Sequence, residues 1–146
     1  AHVGERDRSS AATGGLTMQD QPTPSEVIGA VAAFLRNVVT AQTTGATSFQ
    51  ARVAANALEM MRRQLDLAPA EDAAELRRLK TVLGIDGSLA ELNSELARRI
   101  AAGELDLTTP GLSDHLWATT LAKLAVDQPT YAAYRAELAA RARETP

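Results

Sequence analysis

Apolar residues in this chain recur every three to four positions, in runs cut by Pro and Gly, and no alternation of apolar with polar is sustained, Glu104-Leu105-Asp106-Leu107 being short and isolated. A half-buried strand needs that alternation, so the pattern admits helices and excludes a sheet. Composition agrees. The 146 residues include 29 Ala and 18 Leu, about a third of the chain, against two Phe, two Tyr and one Trp. The length suits one hydrophobic core.

Helix signals divide the chain. Residues 1–20 are polar, rich in Gly and Ser and without hydrophobic period, and read as a flexible N-terminal tail; residues 21–146 read as a single helical domain. Thr23-Pro24-Ser25-Glu26 is a capping box, and Val27, Val31, Phe34, Leu35 and Val38 follow at helical spacing until Gln42-Thr43-Thr44-Gly45. A second helix from Ser48 carries Phe49, Val53, Ala57, Met60, Met61 and Leu65 on one stripe. It is expected to stop near Leu67, because Pro69 starts a third. That third helix has acids first (Glu71, Asp72, Glu75), bases last (Arg77, Arg78, Lys80), a Leu76, Leu79, Leu83 stripe and Gly84 as its stop.

Ser88-Leu89-Ala90-Glu91 is a second capping box, opening a fourth helix with a Leu89, Leu92, Leu96, Ile100 seam that Arg98, Arg99 and Gly103 close. Leu105 and Leu107 are expected to tuck onto the bundle. Thr109-Pro110 starts a fifth helix with Leu112, Leu116, Trp117, Leu121 and Leu124. Gln128-Pro129 ends it and begins a sixth with Tyr131, Tyr134 and Leu138, fraying from Arg141. Short connections favour antiparallel neighbours, so the expected fold is an all-α, up-and-down bundle of five or six helices.

Much chemistry is excluded by what the sequence lacks. With no Cys there is no disulfide, thiolate ligand or thiol nucleophile, and His2 and His115 alone cannot build a multi-histidine metal site. A net charge of -3 lacks the basic field of a nucleic-acid binder. Neither a secretory signal nor a membrane span of ~20 apolar residues is present, so a cytoplasmic protein without membrane insertion is expected. No GxxxxGKS/T, GxGxxG, HExxH or Glu-x-x-His motif occurs, and neither cofactor nor metal is expected.

A few residues remain as candidates. Arg52 and Asn56, one turn apart, read first as a buried polar network fixing helix register and second as a ligand contact. Lys123 and Asp127 read as a surface i,i+4 pair. Ser113-Asp114-His115 sets a carboxylate beside the only histidine of the folded region, but neighbours on a helix point ~100° apart, so Asp114 cannot orient His115; a half-buried structural His is the simpler reading. Trp117 next to it is expected in the core. Trp117, Tyr131 and Tyr134 are the candidate interface anchors.

Three runs carry a resemblance: Phe49-Gln50-Ala51-Arg52-Val53-Ala54-Ala55-Asn56-Ala57-Leu58; Leu89-Ala90-Glu91-Leu92-Asn93 with Ile100-Ala101-Ala102-Gly103-Glu104-Leu105; and Leu116-Trp117-Ala118-Thr119-Thr120-Leu121-Ala122-Lys123-Leu124-Ala125-Val126-Asp127-Gln128-Pro129. Over about Met18 to Tyr134 the chain resembles an uncharacterised bacterial helical domain family of unknown function, encoded beside aminoglycoside-phosphotransferase-like kinases and acyl-CoA dehydrogenases. The resemblance implies a context in acyl-CoA or hydroxy-acid catabolism and no catalytic residue. Three functions are therefore expected, in order: a non-catalytic accessory protein bound to such a kinase or dehydrogenase, or to itself; a binding module for an acyl or acyl-CoA ligand; and an enzyme using Asp114, His115 and Lys123.

Overall fold

A computed structural model of the chain describes residues 21–144, and the tail expected over residues 1–20 lies outside them. The fold is an all-α helical bundle; among the described residues no strand occurs. Helix α1 (Pro24–Phe34) continues through a π-helical turn (Leu35–Val39) into the short α2 (Thr40–Gln42), and is followed by α3 (Gly45–Leu83), α4 (Leu89–Ala101), α5 (Leu112–Asp127) and α6 (Ala132–Glu144). The π turn falls where β-branched Val38, Val39 and Thr40 crowd one another, and Thr40 donates both its N–H and its hydroxyl to the Leu35 carbonyl.

Both capping boxes form. Thr23 donates its N–H to Glu26 Oε2 at 2.7 Å and its hydroxyl accepts the Glu26 N–H at 3.3 Å; Ser88 and Glu91 do the same at 2.8 and 3.3 Å. Gly84 stops α3 in the left-handed region, φ +67°, which a side chain would strain.

The stop and restart expected at Leu67 and Pro69 do not occur, because α3 is one helix of 39 residues, roughly 58 Å long. Pro69 does remove the N–H that would bond the Leu65 carbonyl. The helix persists because Pro69 is exposed and no Gly accompanies it. One neighbour also spans the site: α5 packs on α3, and its residues Thr119 to Asp127 share a recess with Leu67-Ala68 before Pro69 and with Glu71, Asp72 and Glu75 after it. Three helices pack on this rod: α1 on its N-terminal half, α4 on its C-terminal end, α5 between.

The large-residue core sits at the α4 end, where Leu79, Leu83, Leu92, Leu96 and Leu112 form one buried cluster with Leu76, Leu89 and Leu105 against it. Leu107, expected to tuck in as well, is 75% exposed. Arg99 ties α4 to the end of α3 by donating to the Leu83 carbonyl at 3.2 Å, and with Arg98 it holds the Glu95 carboxyl down to about 2. At the other end the α1–α3 seam closes on small residues: Ala32, Ser48, Ala51 and Ala55 are the buried ones. The stripe expected to be core in the first half of α3, Phe49, Val53, Ala57, Met60, Met61 and Leu65, is exposed instead, as are Val27, Val31 and Phe34 of α1. Small side chains let two backbones approach closely, and that gain outweighs turning the larger residues inward. Helix α6 runs to Glu144.

Candidate functional site

Helix α5 covers α3 only from Arg63 onward. There Arg63 Nε donates to the Val126 carbonyl at 2.7 Å, satisfying an acceptor in the last turn of α5 and placing a cation at its negative end. Beyond that point α5 has ended, and the chain turns through Gln128-Pro129 into α6. The space left is a cleft of about 660 Å3 bordered by Arg36, Asn56, Met60, Arg63, Asp127 and Tyr131, with Glu59 on one wall. Arg36 Nη2 donates to Asn56 Oδ1 at 3.4 Å across the α1–α3 hairpin, and Glu59 is held by Arg62 at 2.9 Å. Two arginines thus face two carboxylates over a thioether and a phenol. The cleft is near neutral, and its lining is an even mixture of polar and apolar groups.

Three of the residues singled out from sequence, Asn56, Asp127 and Tyr131, meet here. Arg52 does not border the cleft, and both Arg52 and Asn56 are exposed, so the buried register network expected of that pair is absent. The reason is the rotation of α3: burial follows Ser48, Ala51 and Ala55, which leaves position 56 on the open side. Lys123 and Asp127 make no ion pair with one another among the described residues. Instead they border a second recess of about 290 Å3 with Glu71, Asp72, Glu75 and Thr119.

His115 is 2% exposed, buried rather than half-buried, and takes the inward place expected of Trp117. Trp117 is 48% exposed and donates its indole N–H to Glu137 at 3.2 Å, the bond that ties α6 to α5. Tyr131 is exposed and Tyr134 half-buried. Among the described residues His115 Nδ1, Arg78 Nε and Nη2 and Thr119 Oγ1 are buried without hydrogen-bond partners. Burial, and then the Arg78 charge, push the His115 imidazolium below its ordinary pKa, with Glu75 opposing. Asp114 and His115 share a recess of about 270 Å3 that Lys123 does not border, so the three groups of the enzyme reading are not brought together. Among the described residues no group of three or more His, Asp or Glu could hold a metal ion, and no helix is long and apolar enough to cross a membrane.

A consequence in solution follows from His115. Its folded form binds a proton less readily than the unfolded chain, so stability falls as pH drops from the ordinary imidazole value of about 6.5 toward the lower folded value, then levels off. Melts from pH 7.5 to 5 are expected to show this loss, and His115→Leu to flatten it. An equal pH response in parent and variant would place the titration elsewhere.

Sequence reasoning missed Arg36, Arg63 and Arg78. Each is an ordinary helix cation in sequence, and only the acceptors or orphaned atoms across a helix interface give it a role. Neither the curated proteins nor the solved structures contain a match to the chain. A family model does match residues 41–131, a span that takes in α3, α4, α5 and the cleft residues from Asn56 to Tyr131 and leaves α1 outside. The chain belongs to that family, the domain of unknown function DUF6285.

Proposed function

We propose that this chain is a non-catalytic accessory protein that works by helix-face association in the cytoplasm. Its partner is a phosphotransferase-like kinase or an acyl-CoA dehydrogenase-like protein of acyl or hydroxy-acid catabolism. One observation carries the reading. The one fully buried residue of α1 is Ala32, while the larger Val27, Val31 and Phe34 are left 44–55% exposed. Spacings of four and three put them on one stripe, the form in which a helix is presented to a groove or to another helix. The partner class rests on the resemblance of the three sequence runs.

A second reading, a binding module for an acyl or acyl-CoA ligand, is favoured by the cleft, whose Arg36 and Arg63 would meet an anionic head and Met60 a tail. Glu59 and Asp127 on the same walls repel such a head, which ranks it second. Coexpression with the two partner classes followed by size-exclusion chromatography separates the readings. Coelution with one of them, lost in Val31→Asp, is the expected result. Elution apart from both, together with saturable acyl-CoA binding by the parent chain, would replace the accessory reading with the binding module.

A further inference from the structure

Helix α6 is held far more lightly than its neighbours. Helix α4 buries Leu92 and Leu96, and α5 buries Leu112, His115 and Leu121. In α6 six of the thirteen residues are Ala, Leu138 is 44% exposed, and no side chain of residues 132–143 is buried. Tyr134, Glu137 and Ala140, at steps of three, are the half-buried ones and mark the side that faces the rest of the chain. A helix of this length is marginal in water by itself, even when rich in Ala, so its own backbone adds little.

The bond to α5 is also weak. Trp117 Nε1 donates to Glu137 Oε1 at 3.2 Å in solvent, and the same oxygen accepts from Arg141 Nε at 2.7 Å within α6. On separation Glu137 keeps Arg141 and water takes the indole N–H, so little is lost. The connection between the helices is a turn. Gln128 leaves α5 at φ -139° and ψ 59°, Pro129 follows, and the Tyr131 N–H donates to the Gln128 carbonyl at 3.0 Å. The Tyr131 carbonyl then accepts from the Arg135 N–H at 3.0 Å and so starts α6. The family match ends at Tyr131 as well, and its span holds α3, α4 and α5 without α6.

We propose that α6 is a hinged arm. It undocks from α5 about residues 128–131 while α3, α4 and α5 stay folded, and in doing so it frees Trp117 and Tyr134 and moves one wall of the cleft. Gln128, Pro129, Thr130 and Tyr131 all border that cleft, so hinge and wall are the same residues. Trp117 and Tyr134 are of the types that anchor interfaces; the docked arm holds the first by its N–H and leaves the second half-buried. Docked, the arm withholds these aromatics, and undocked it presents them. Their use by a partner belongs to the accessory reading, and the motion stands without it.

Hydrogen exchange on the full chain tests this. Amides of residues 132–144 are expected to be protected by no more than about tenfold over an unstructured chain, and those around Leu121 by at least about a hundredfold more. Glu137→Ala removes the acceptor of the indole bond. It is expected to abolish the protection of α6, leave that of α5 unchanged, and increase the quenching by acrylamide of Trp117, the only tryptophan of the chain. Tyr134→Ala, which removes the half-buried ring, is expected to act alike. Because oxidation follows exposure, peroxide is expected to attack Met60, which borders the cleft, faster in both variants, and Met61, which does not, at the parent's rate. Residues 132–144 protected as strongly as α5, or protection lost from α5 together with α6 in Glu137→Ala, would overturn the arm. Unchanged Met60 oxidation in a variant whose α6 has lost its protection would overturn the link to the cleft. No partner is present in these measurements, so neither result bears on the accessory reading.

Discussion

Leu92→Ala is expected to destabilise the fold by about 2–5 kcal/mol, toward the upper end of that range, and to lower the melting temperature by roughly 10–20 °C. Leu92 is 1% exposed and belongs to the cluster of Leu79, Leu83, Leu96 and Leu112, where the last turns of α3 meet α4 and the start of α5. Removing three carbons loses their transfer free energy and leaves a hole, whose cost depends on whether the walls can close. Here they close poorly. Three leucines of the cluster sit on helices pinned by other bonds, among them Arg99 to the Leu83 carbonyl, and the loop above Leu92 is already tight. A Cβ added at Gly87 would stand 3.1 Å from Leu92 Cδ2. Leu107→Ala, the same change at a residue 75% exposed, is expected within about 0.5 kcal/mol of the parent. Urea unfolding of both variants checks this; a Leu92→Ala midpoint close to that of Leu107→Ala would move the centre of the fold elsewhere.

Why this end of the molecule was legible from sequence and the other was not comes down to residue size. Leu76, Leu79 and Leu83, then Leu92 and Leu96, recur at helical spacing, and each is the largest apolar residue in its turn, so periodicity and burial coincide. Ser88 and Glu91 fix the start of α4 by local bonds that any fold would keep. In the first half of α3 the two signals part. Phe49, Val53 and Met60 dominate any measure of apolar periodicity, while the stripe that is buried, Ser48, Ala51 and Ala55, is made of residues common everywhere in so Ala-rich a chain. Reading the stripe from the large residues set the helix about half a turn wrong. It put Arg52 and Asn56 in a core they do not enter.

Pro69 misled for a different reason. Its cost is local and real, about 3 kcal/mol, but packing of α5 across both sides of it decides the outcome, and that contact joins residues some fifty positions apart. The candidate site divides the same way. Asn56, Asp127 and Tyr131 were each visible as polar or aromatic residues at the edge of a helical stripe. That the end of α5 delivers two of them to the third depends on the antiparallel offset between α3 and α5, which no residue spacing encodes.

The small-residue seam makes its own demand, tested by Ala55→Leu. Ala55 and Ala32 are both 0% exposed where α1 lies against α3, and the approach is close along the seam: a Cβ at Gly29 would stand 3.3 Å from Arg62 Cδ. Helices packed through alanines stand at the short end of the usual range, ~8 Å between axes, and an added isobutyl group has no volume to enter. Overpacking of this kind costs about 1–3 kcal/mol, and here the strain has a cheap exit. Helix α1 is held by one seam, contributes no member to the leucine cluster and can lift from α3 while α3, α4 and α5 stay packed. The expected result is therefore a local opening: amides of residues 24–42 exchange faster by one to two orders of magnitude, since ~1.4 kcal/mol is tenfold, while those around Leu79 and Leu92 keep their protection. Ala54→Leu, one residue away on the exposed side, is expected to leave both groups of amides unchanged. Uniform loss of protection along the chain in Ala55→Leu would mean that α1 unfolds only with the leucine cluster, and the two ends of α3 would then be one cooperative unit.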